Sequence, residues 1–213
     1  MIGYKHKGEI AMDKIFKNIQ YIETMPKMKA EKYPLIINIH GAGGRGTSLD
    51  GIRNSAVRNY MGQNEDFPAV VICPLCFANT WFDIFEQLKE FVEYASTLPY
   101  IDQDRVYLTG TSMGGYASWQ LLMSFPEKFA AAIVCCGGGM YWNSSRIKIP
   151  VWAFHGEDDP TVLCIESKNM VKAINDAGGQ AKLTLLPGVQ HNCWDIAYSS
   201  KETYDFLFAN KRN

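Results

Sequence analysis

The feature that most constrains the fold is a series of six short runs that are almost continuously apolar and rich in β-branched residues. Strands covered by helices on both faces have this composition, whereas a strand with one solvated face alternates apolar and polar residues. We therefore predict parallel strands at residues 35–40, 69–74, 105–110, 131–136, 151–156 and 182–187.

Segments with helical periodicity separate these runs. In residues 80–96 the apolar positions recur at the spacing of one buried helix face, and Thr80 is placed to cap the N-terminus. Further helices are predicted directly after residue 112, at 165–179 and at 201–210. This alternation predicts an α/β fold, a doubly wound and mostly parallel sheet with helices on both faces, as a single domain over residues 1–213.

Net charge and apolar run length exclude several classes of partner. The formal net charge is −1, which provides no electrostatic basis for binding nucleic acid or an anionic membrane surface. No apolar run approaches the roughly 20 residues of a membrane span. The first residues lack the apolar segment of a signal peptide, which favours a cytoplasmic protein.

The six cysteines are interpreted as reduced thiols, as expected in the cytoplasm. Cys73 and Cys76 form a single C-x-x-C pair with no second pair at zinc-site spacing, so a redox or metal site is the less favoured alternative. We expect no metal and no organic cofactor. Cys193 lies close to a histidine discussed below, where oxidation or alkylation would affect the chemistry.

Residues with chemical potential follow four of the predicted strands. In a doubly wound sheet, ligands bind at the carboxyl ends of the strands. In chain order these ends carry a glycine-rich loop that starts at His40, then Ser112, the acid pair Asp158-Asp159, and His191. Serine, then aspartate, then histidine is the chain order of an α/β-hydrolase triad.

Ser112 stands in the pattern Gly110-x-Ser112-x-Gly114, between a predicted strand and a predicted helix. A nucleophilic serine on such a strand-to-helix turn has a strained backbone, so the residues two positions away must be small. The motif alone has low specificity, and its alternative is a plain glycine-rich helix N-terminus. The flanking strand and helix favour the nucleophile.

His191 is the predicted general base among the four histidines. It follows the last strand in a polar loop. His6 is close to the terminus, and His40 and His155 each end a strand directly before a glycine, a position that favours bracing a loop. A single loop histidine is usually a surface residue, and the accompanying serine and acid favour the catalytic interpretation.

The triad acid is predicted to be Asp159, with Asp158 as the alternative. The acid must accept the ring N–H of His191 and stabilise the imidazolium that forms. The aspartate that does not serve this role would be a solvated loop carboxylate or a cap of the next helix.

An oxyanion hole needs two backbone N–H donors. We predict the N–H of Met113, next to the nucleophile, and the N–H of Ala42 in the glycine-rich loop. Gly41 and Gly43 allow the backbone of that loop to approach the substrate closely. The alternative use of such a loop is to bind phosphate, but neither of the usual phosphate-loop patterns is present.

The chain resembles the α/β-hydrolase serine esterases described as predicted peptidases or phospholipase/carboxylesterases, which are related to feruloyl and acetyl-xylan esterases and polyhydroxybutyrate depolymerases. The stretches that carry the resemblance are YPLIINIHGAGGRG, IDQDRVYLTGTSMGGYASWQ, PEKFAAAIVCCGGG, IPVWAFHGEDDPTV and PGVQHNCWDIAY. It implies the roles given above for Ser112, Asp159, His191, Met113 and Ala42.

The resemblance also implies that Trp81, within NTWFD, contacts substrate. Trp194, just after the predicted base, is a second candidate, and core packing is the alternative for both. The part before residue 33 is short, so the leading antiparallel strands of larger members are expected to be reduced. The segment between residues 134 and 150 is too short for a large lid, so we expect an open site that Tyr141 and Trp142 could line.

These patterns predict a serine carboxylesterase that acts on short acyl groups or on esters linked to sugars. A serine peptidase of the same fold is the main alternative, and a non-catalytic binding protein is a further one. Dienelactone hydrolase is a relative in fold for which a cysteine nucleophile is expected, and Ser112 argues against that activity. An exposed edge strand or an aromatic surface would allow a homodimer.

Overall fold

A single eight-stranded sheet runs through the part of the chain that the computed structural model describes, residues 10–212. His6 lies outside those residues. The strands are β1 (Ile10–Phe16), β2 (Ile19–Met25), β3 (Tyr33–Ile39), β4 (Val70–Pro74), β5 (Ile101–Thr111), β6 (Ala131–Cys135), β7 (Val151–Gly156) and β8 (Ala181–Leu186).

The spatial order of the strands is β1-β2-β4-β3-β5-β6-β7-β8. Strands β3 to β8 run parallel to one another, and β1 and β2 add an antiparallel edge. The predicted parallel sheet is therefore confirmed, and its six predicted strands correspond to β3 through β8. The reversal of strand order around β3 places the ends of β3 and β5 side by side.

Helices cover both faces of this sheet, as the apolar runs predict. They are α1 (Ala56–Gln63), α2 (Phe85–Ser96), α3 (Met113–Ser124), α4 (Ile165–Asp176), α5 (Trp194–Ser199) and α6 (Lys201–Phe208). One buried cluster joins the sheet to α2, α3 and α4, and a second joins its other face to α1, α5 and α6. Each strand of the parallel part thus has apolar contacts on both sides.

Helix α2 begins at Phe85, later than predicted. The Thr80 hydroxyl accepts a hydrogen bond from the backbone N–H of Asp83, and the Asp83 carboxylate accepts one from the N–H of Thr80. These reciprocal bonds form a local turn in place of a first helical turn. Thr80 therefore closes a turn that precedes the helix.

The antiparallel strands β1 and β2 lack continuous apolar runs and were not among the predicted strands. A buried carboxylate, Glu23 on β2, accepts hydrogen bonds from Lys14 on β1 and from the hydroxyl of Tyr100. A buried charge is tolerated when it is paired in this way.

All six cysteines lie within the described residues and none forms a disulfide. Between residues 10 and 212, no helix combines the length and hydropathy that crossing a bilayer requires. The segment after β6 contains Gly137 to Gly139 and a short 3-10 helix, Tyr141–Arg146, which places Tyr141 and Trp142 on the surface.

Candidate active site

Ser112 stands at the junction of β5 and α3 with φ 54° and ψ −119°. A positive φ is rare for a residue with a side chain and marks backbone strain. The Ser112 N–H donates to the carbonyl of Cys135 at 2.9 Å, and its carbonyl accepts from the N–H of Tyr116 at 3.0 Å. The neighbouring strand and the first helical turn therefore hold the strained residue.

The two glycines of the motif are required by close backbone contacts. A Cβ on Gly110 would lie 2.1 Å from the Ser118 hydroxyl and 2.4 Å from the Gly114 carbonyl oxygen. A Cβ on Gly114 would lie 2.1 Å from the carbonyl oxygen of Ile39. Helix α3 thus packs directly against the ends of β3 and β5, and this packing directs the Ser112 side chain toward His191.

Three predicted side chains form one hydrogen-bonded chain. The Ser112 hydroxyl lies 2.8 Å from His191 Nε2, and His191 Nδ1 lies 2.7 Å from Asp159 Oδ2. Because the Asp159 carboxylate can only accept, Nδ1 carries the proton and Nε2 is free to accept from Ser112. This tautomer is the one in which histidine can take a proton from serine.

Asp159, at the end of the β7 loop, is buried, whereas Asp158 is exposed. Its Oδ1 accepts the backbone N–H groups of Thr161 and Val162 at 2.8 and 3.0 Å. Burial alone would raise the pKa of Asp159, but the hydrogen bonds from His191 and these backbone groups outweigh it and lower the pKa. The carboxylate is therefore held ionised with Oδ2 facing His191.

A second histidine contacts the same carboxylate. His155, fully buried at the end of β7, has Nε2 2.8 Å from the Val162 carbonyl oxygen and 3.3 Å from Asp159 Oδ2. Because the Val162 oxygen only accepts, this nitrogen carries the proton. Its Nδ1 lies 2.7 Å from the Ser167 hydroxyl on α4. His155 thus braces the acid loop, the role favoured by its sequence position.

The glycine-rich loop lies against Ser112. A Cβ on Gly41 would be 3.3 Å from the Cβ of Ser112. Ala42 is the first residue of a 3-10 turn, and Met113 is the first residue of α3. Neither backbone N–H donates a hydrogen bond to an acceptor in residues 10–212. Such unpaired N–H groups at helix starts suit a developing negative charge.

His40 fixes the geometry of this loop. Its Nε2 accepts the backbone N–H of Cys76 at 3.0 Å, so Nδ1 carries the proton and donates to the Gly41 carbonyl. Burial lowers the pKa of His40 to about 4, which keeps the ring neutral near pH 7. Arg45 adds hydrogen bonds to the carbonyls of Ala42 and Asn79.

Trp81 does not fit the expected role as a substrate contact. Its side chain is fully buried, and its Nε1–H donates to the His40 carbonyl oxygen at 3.0 Å. The indole also packs against the imidazole of His40, with ring centroids 4.9 Å apart. A ring with no exposed surface cannot contact a ligand in this conformation, so the role of Trp81 is to stabilise the glycine-rich loop through its contacts with His40.

A cavity of about 520 Å³ opens beside Ser112 and His191. Gly41, Gly43 and Trp194 line it, as their predicted contact with substrate requires, and Tyr141 and Trp142 do not. The Trp194 ring meets the His191 ring edge to face, with centroids 5.4 Å apart. Trp194 therefore forms a wall of the cavity at the predicted base.

Polar residues that no sequence motif marks also line this cavity. Asn54, Ser55 and Asn59 come from α1 and the loop before it, and Asp195 comes from α5. They lie far from the sequence motifs, so only the packing of α1 and α5 over the site reveals them.

Within residues 10–212, one group of possible metal ligands overlaps the three hydrogen-bonded side chains. Cys136 Sγ, an Asp159 oxygen and a His191 ring nitrogen all lie within 4.8 Å of one another. A cation here would have to replace the hydrogen bond between His191 and Asp159. The hydrogen bond with Cys193, and burial, also raise the pKa of the Cys136 thiol, which disfavours the thiolate that binds metals. The arrangement suits the hydrogen-bonded triad better than a metal.

Similar proteins were found by sequence and by structure. An uncharacterised secreted protein of Arthroderma benhamiae is 24% identical over 85% of this chain, and a bifunctional acetylxylan esterase/xylanase of Neocallimastix patriciarum is 30% identical over 44%. This chain spans only 23% and 13% of their lengths.

Solved structures share the fold over nearly the whole chain. A thermostable esterase superposes with a TM-score of 0.83 at 33% identity, covering 96% of this chain and 63% of its own. An acylaminoacyl peptidase of Pyrococcus horikoshii superposes with a TM-score of 0.72 at 14% identity, covering 97% of this chain and 42% of its own, and that likeness concerns the fold alone.

Residues 63–203, more than half of the chain, match the dienelactone hydrolase family. This match includes Ser112, Asp159 and His191, and the sheet and helices have the α/β-hydrolase arrangement. The chain belongs to the dienelactone hydrolase family, with a serine at the strand-to-helix turn.

Proposed function

We propose that the protein is a serine carboxylesterase. The observation that carries the proposal is the chain of hydrogen bonds from Ser112 through His191 to Asp159, at 2.8 and 2.7 Å, which starts at a strained serine. Ser112 Oγ attacks the ester carbonyl carbon while His191 Nε2 takes the hydroxyl proton. Asp159 stabilises the imidazolium that results.

The N–H groups of Ala42 and Met113 then hold the negative oxygen of the tetrahedral intermediate. When the intermediate collapses, the bond to the alkoxy oxygen breaks and His191 gives its proton to the departing alcohol. A water molecule, deprotonated by His191, then attacks the carbonyl carbon of the acyl-enzyme. The bond to Ser112 Oγ breaks, His191 returns the proton to Ser112, and the acid is released. None of these steps uses a metal or an organic cofactor.

The alcohol part of the substrate is proposed to be polar, as in an ester of a sugar. The alcohol must lie near His191, which protonates it, and the cavity on that side is lined by Asn54, Asn59 and Asp195 beside the Trp194 ring. Amide and carboxylate groups next to an aromatic face suit a hydroxylated ring. The relative described as an acetylxylan esterase/xylanase agrees with this proposal.

Hydrolysis of p-nitrophenyl acetate, butyrate and octanoate, by the wild type and by Ser112→Ala, tests the activity. We expect turnover by the wild type that is faster for the two shorter esters and at least about 10³-fold slower in the variant. Turnover that survives in Ser112→Ala would require another nucleophile. Labelling of folded protein by a fluorophosphonate separates an active esterase from a non-catalytic binding protein, since only an activated Ser112 reacts.

A serine peptidase is the second candidate, and fold similarity to an acylaminoacyl peptidase is the observation that favours it. Amides have poorer leaving groups than esters. Comparison of a p-nitroanilide with the p-nitrophenyl ester of the same acyl group decides between them, because a peptidase would hydrolyse the anilide at a comparable kcat/KM.

We propose a cytoplasmic location on the basis of the six unpaired cysteines. The relative described as secreted makes extracellular location the competing proposal. Fractionation of the source cells with an antibody distinguishes them. Binding to nucleic acid or membrane is not expected at this net charge, and size-exclusion chromatography with light scattering tests for a homodimer.

A further inference from the structure

A second cavity has a volume of about 550 Å³. Its walls include Phe82, Phe85, Tyr116 and Met140, with Gln120 and Glu166 as the polar members. The rings of Phe82 and Phe85 stack with centroids 6.1 Å apart, and Phe82 is 51% exposed. An apolar, aromatic concavity with few polar groups is the usual form of a small-molecule site.

The two cavities share no lining residue within residues 10–212, and helices from opposite faces of the sheet line them. The first is covered by α1 and α5, which pack on one face of the sheet, and the second by α2, α3 and α4, which pack on the other. Ser112, at the end of β5, stands between these two sets of helices.

Tyr116 connects the second cavity to the triad. It lies one helical turn after Ser112, and its N–H donates to the Ser112 carbonyl. Burial, followed by the negative charges of Glu166 and Asp159, raises the pKa of Tyr116, so both carboxylates act on this ring. Through Tyr116, the wall of the second cavity therefore comes within one helical turn of the nucleophile.

Among the described residues that line this cavity, Glu166 is the only one with a carboxylate. A Cβ on Gly138 would lie 2.3 Å from its Oε2, so the glycine leaves room for the carboxylate against the backbone. Between residues 10 and 212, the carboxylate makes no hydrogen bond or ion pair. An anionic group beside aromatic faces, with no cation of the protein on it, favours a cationic ligand because both the charge and the rings attract it.

We propose that the second cavity binds the acyl part of the substrate and that Glu166, with the rings of Phe82, Phe85 and Tyr116, binds a positively charged group on that acyl chain. The inference rests on the proposed esterase function, and it names the acyl class as one with an ammonium group a few bonds from the carbonyl. Glu166 is then a specificity residue and takes no part in bond breaking.

Two isosteric esters test the proposal: p-nitrophenyl 4-(trimethylammonio)butanoate and p-nitrophenyl 5,5-dimethylhexanoate. They differ only in nitrogen or carbon at the branched position. The rate of spontaneous hydrolysis is measured for each ester, and each kcat/KM is divided by it, which corrects for the difference in chemical reactivity. In the wild type we expect kcat/KM to favour the cationic ester by about tenfold or more, the effect of about 1.4 kcal/mol. In Glu166→Gln we expect most of that preference to be lost, mainly through KM, with only the contribution of the aromatic rings remaining.

Glu157→Gln is the matched control. Glu157 is exposed, lies two residues before Asp159 and does not line the second cavity, so its loss changes net charge equally and should leave the preference intact. The wild-type preference should also fall as NaCl is raised, since salt screens a partly exposed charge pair. Circular dichroism and fluorophosphonate labelling check that both variants fold and keep a reactive Ser112.

Equal preference in the wild type and in Glu166→Gln would overturn the inference, as would an equal loss in Glu157→Gln. A wild type that hydrolyses neither these esters nor p-nitrophenyl acetate would instead overturn the proposed function. If the wild type hydrolyses the acetate and the neutral ester but shows no selectivity for the cationic ester, the proposed esterase activity is supported and the proposed cation site is contradicted.

Discussion

The indole Nε1–H of Trp81 donates to the backbone carbonyl oxygen of His40 at 3.0 Å. This bond ties the turn that precedes α2 to the loop that carries Ala42, so a tryptophan expected to touch substrate instead helps to position the N–H group of Ala42, a proposed oxyanion donor. We predict that Trp81→Phe lowers kcat about tenfold and changes KM less than about twofold, because a displaced donor weakens transition-state binding.

The comparison for Trp81 is Trp194→Phe, which alters a wall of the first cavity and should mainly raise KM. Steady-state kinetics with one p-nitrophenyl ester measure both variants. A rise in KM alone for Trp81→Phe would mean that the ring meets the substrate after all.

Asp159→Asn should lower kcat by about 10⁴-fold, the loss known for this substitution in a Ser-His-Asp protease. Because Oδ1 accepts two backbone N–H groups, the asparagine oxygen will take that position and direct its NH₂ at His191 Nδ1. The histidine must then carry its proton on Nε2 and cannot accept one from Ser112. Asp158→Asn removes an exposed neighbour and should leave kcat unchanged.

Stability should fall as the pH drops from 6.5 toward 4, in part through His40. The folded protein holds the pKa of His40 at about 4, below its unfolded value near 6.5, so the unfolded chain gains the proton first. This contribution, at most about 3 kcal/mol, is fully present above pH 6.5 and lost progressively toward pH 4. Urea unfolding across this range measures it.

His40→Gln removes the group that titrates, so the free energy of unfolding should depend less on pH between 6.5 and 4 in this variant. The contribution of Asp159 has the usual sign for an acid with a lowered pKa: it is present above about pH 4 and is lost below that. Identical slopes for the wild type and His40→Gln would contradict the buried neutral state.

Gly114→Ala should lower the free energy of unfolding by about 3 kcal/mol or more, because the new methyl group would lie 2.1 Å from the Ile39 carbonyl oxygen. Gly43→Ala places a methyl group where nothing lies within 4 Å and should change stability by less than about 0.5 kcal/mol. Denaturant midpoints compare the two. Equal stability would show that α3 can move away from β3.

Alkylation of the folded protein should modify Cys164 first, because it alone of the six cysteines is partly exposed. Cys193 is fully buried, and its Sγ donates to the Phe154 carbonyl oxygen, so it should react only on unfolding. Mass spectrometry after brief treatment with iodoacetamide reports the site. Rapid inactivation that Cys193→Ser prevents would mean that the thiol beside His191 is accessible.

Strands β3 to β8 were predictable because each has apolar residues on both faces, which leaves a run in the sequence. Strands β1 and β2 mix charged and apolar residues, and the ion pair of Lys14 with Glu23 that permits this forms only across the strands. The positions of Ser112, Asp159 and His191 follow from strand ends, which the sequence marks with glycine and polar residues.

The direction of a side chain was harder to predict. Trp81 and Trp194 both stand next to motif residues, yet one is fully buried and the other lines the cavity. Their burial depends on how α2 and α5 pack, which no local pattern records. The position of Glu166 in the second cavity could not be predicted either, because an acidic residue in the first turn of a helix is common for electrostatic reasons alone.

Within the part of the chain that the structure describes, the two cavities share no lining residue, and this separation has an evolutionary consequence. If the two cavities bind the alcohol and the acyl group as proposed, substitutions in α1 or α5 can alter the choice of alcohol without changing the acyl-binding walls, and changes in α2 or α4 can do the reverse. The specificity for each half of the substrate can thus change through separate, single substitutions while Ser112 is kept. A scaffold partitioned in this way can diversify one specificity at a time, by drift or by directed evolution.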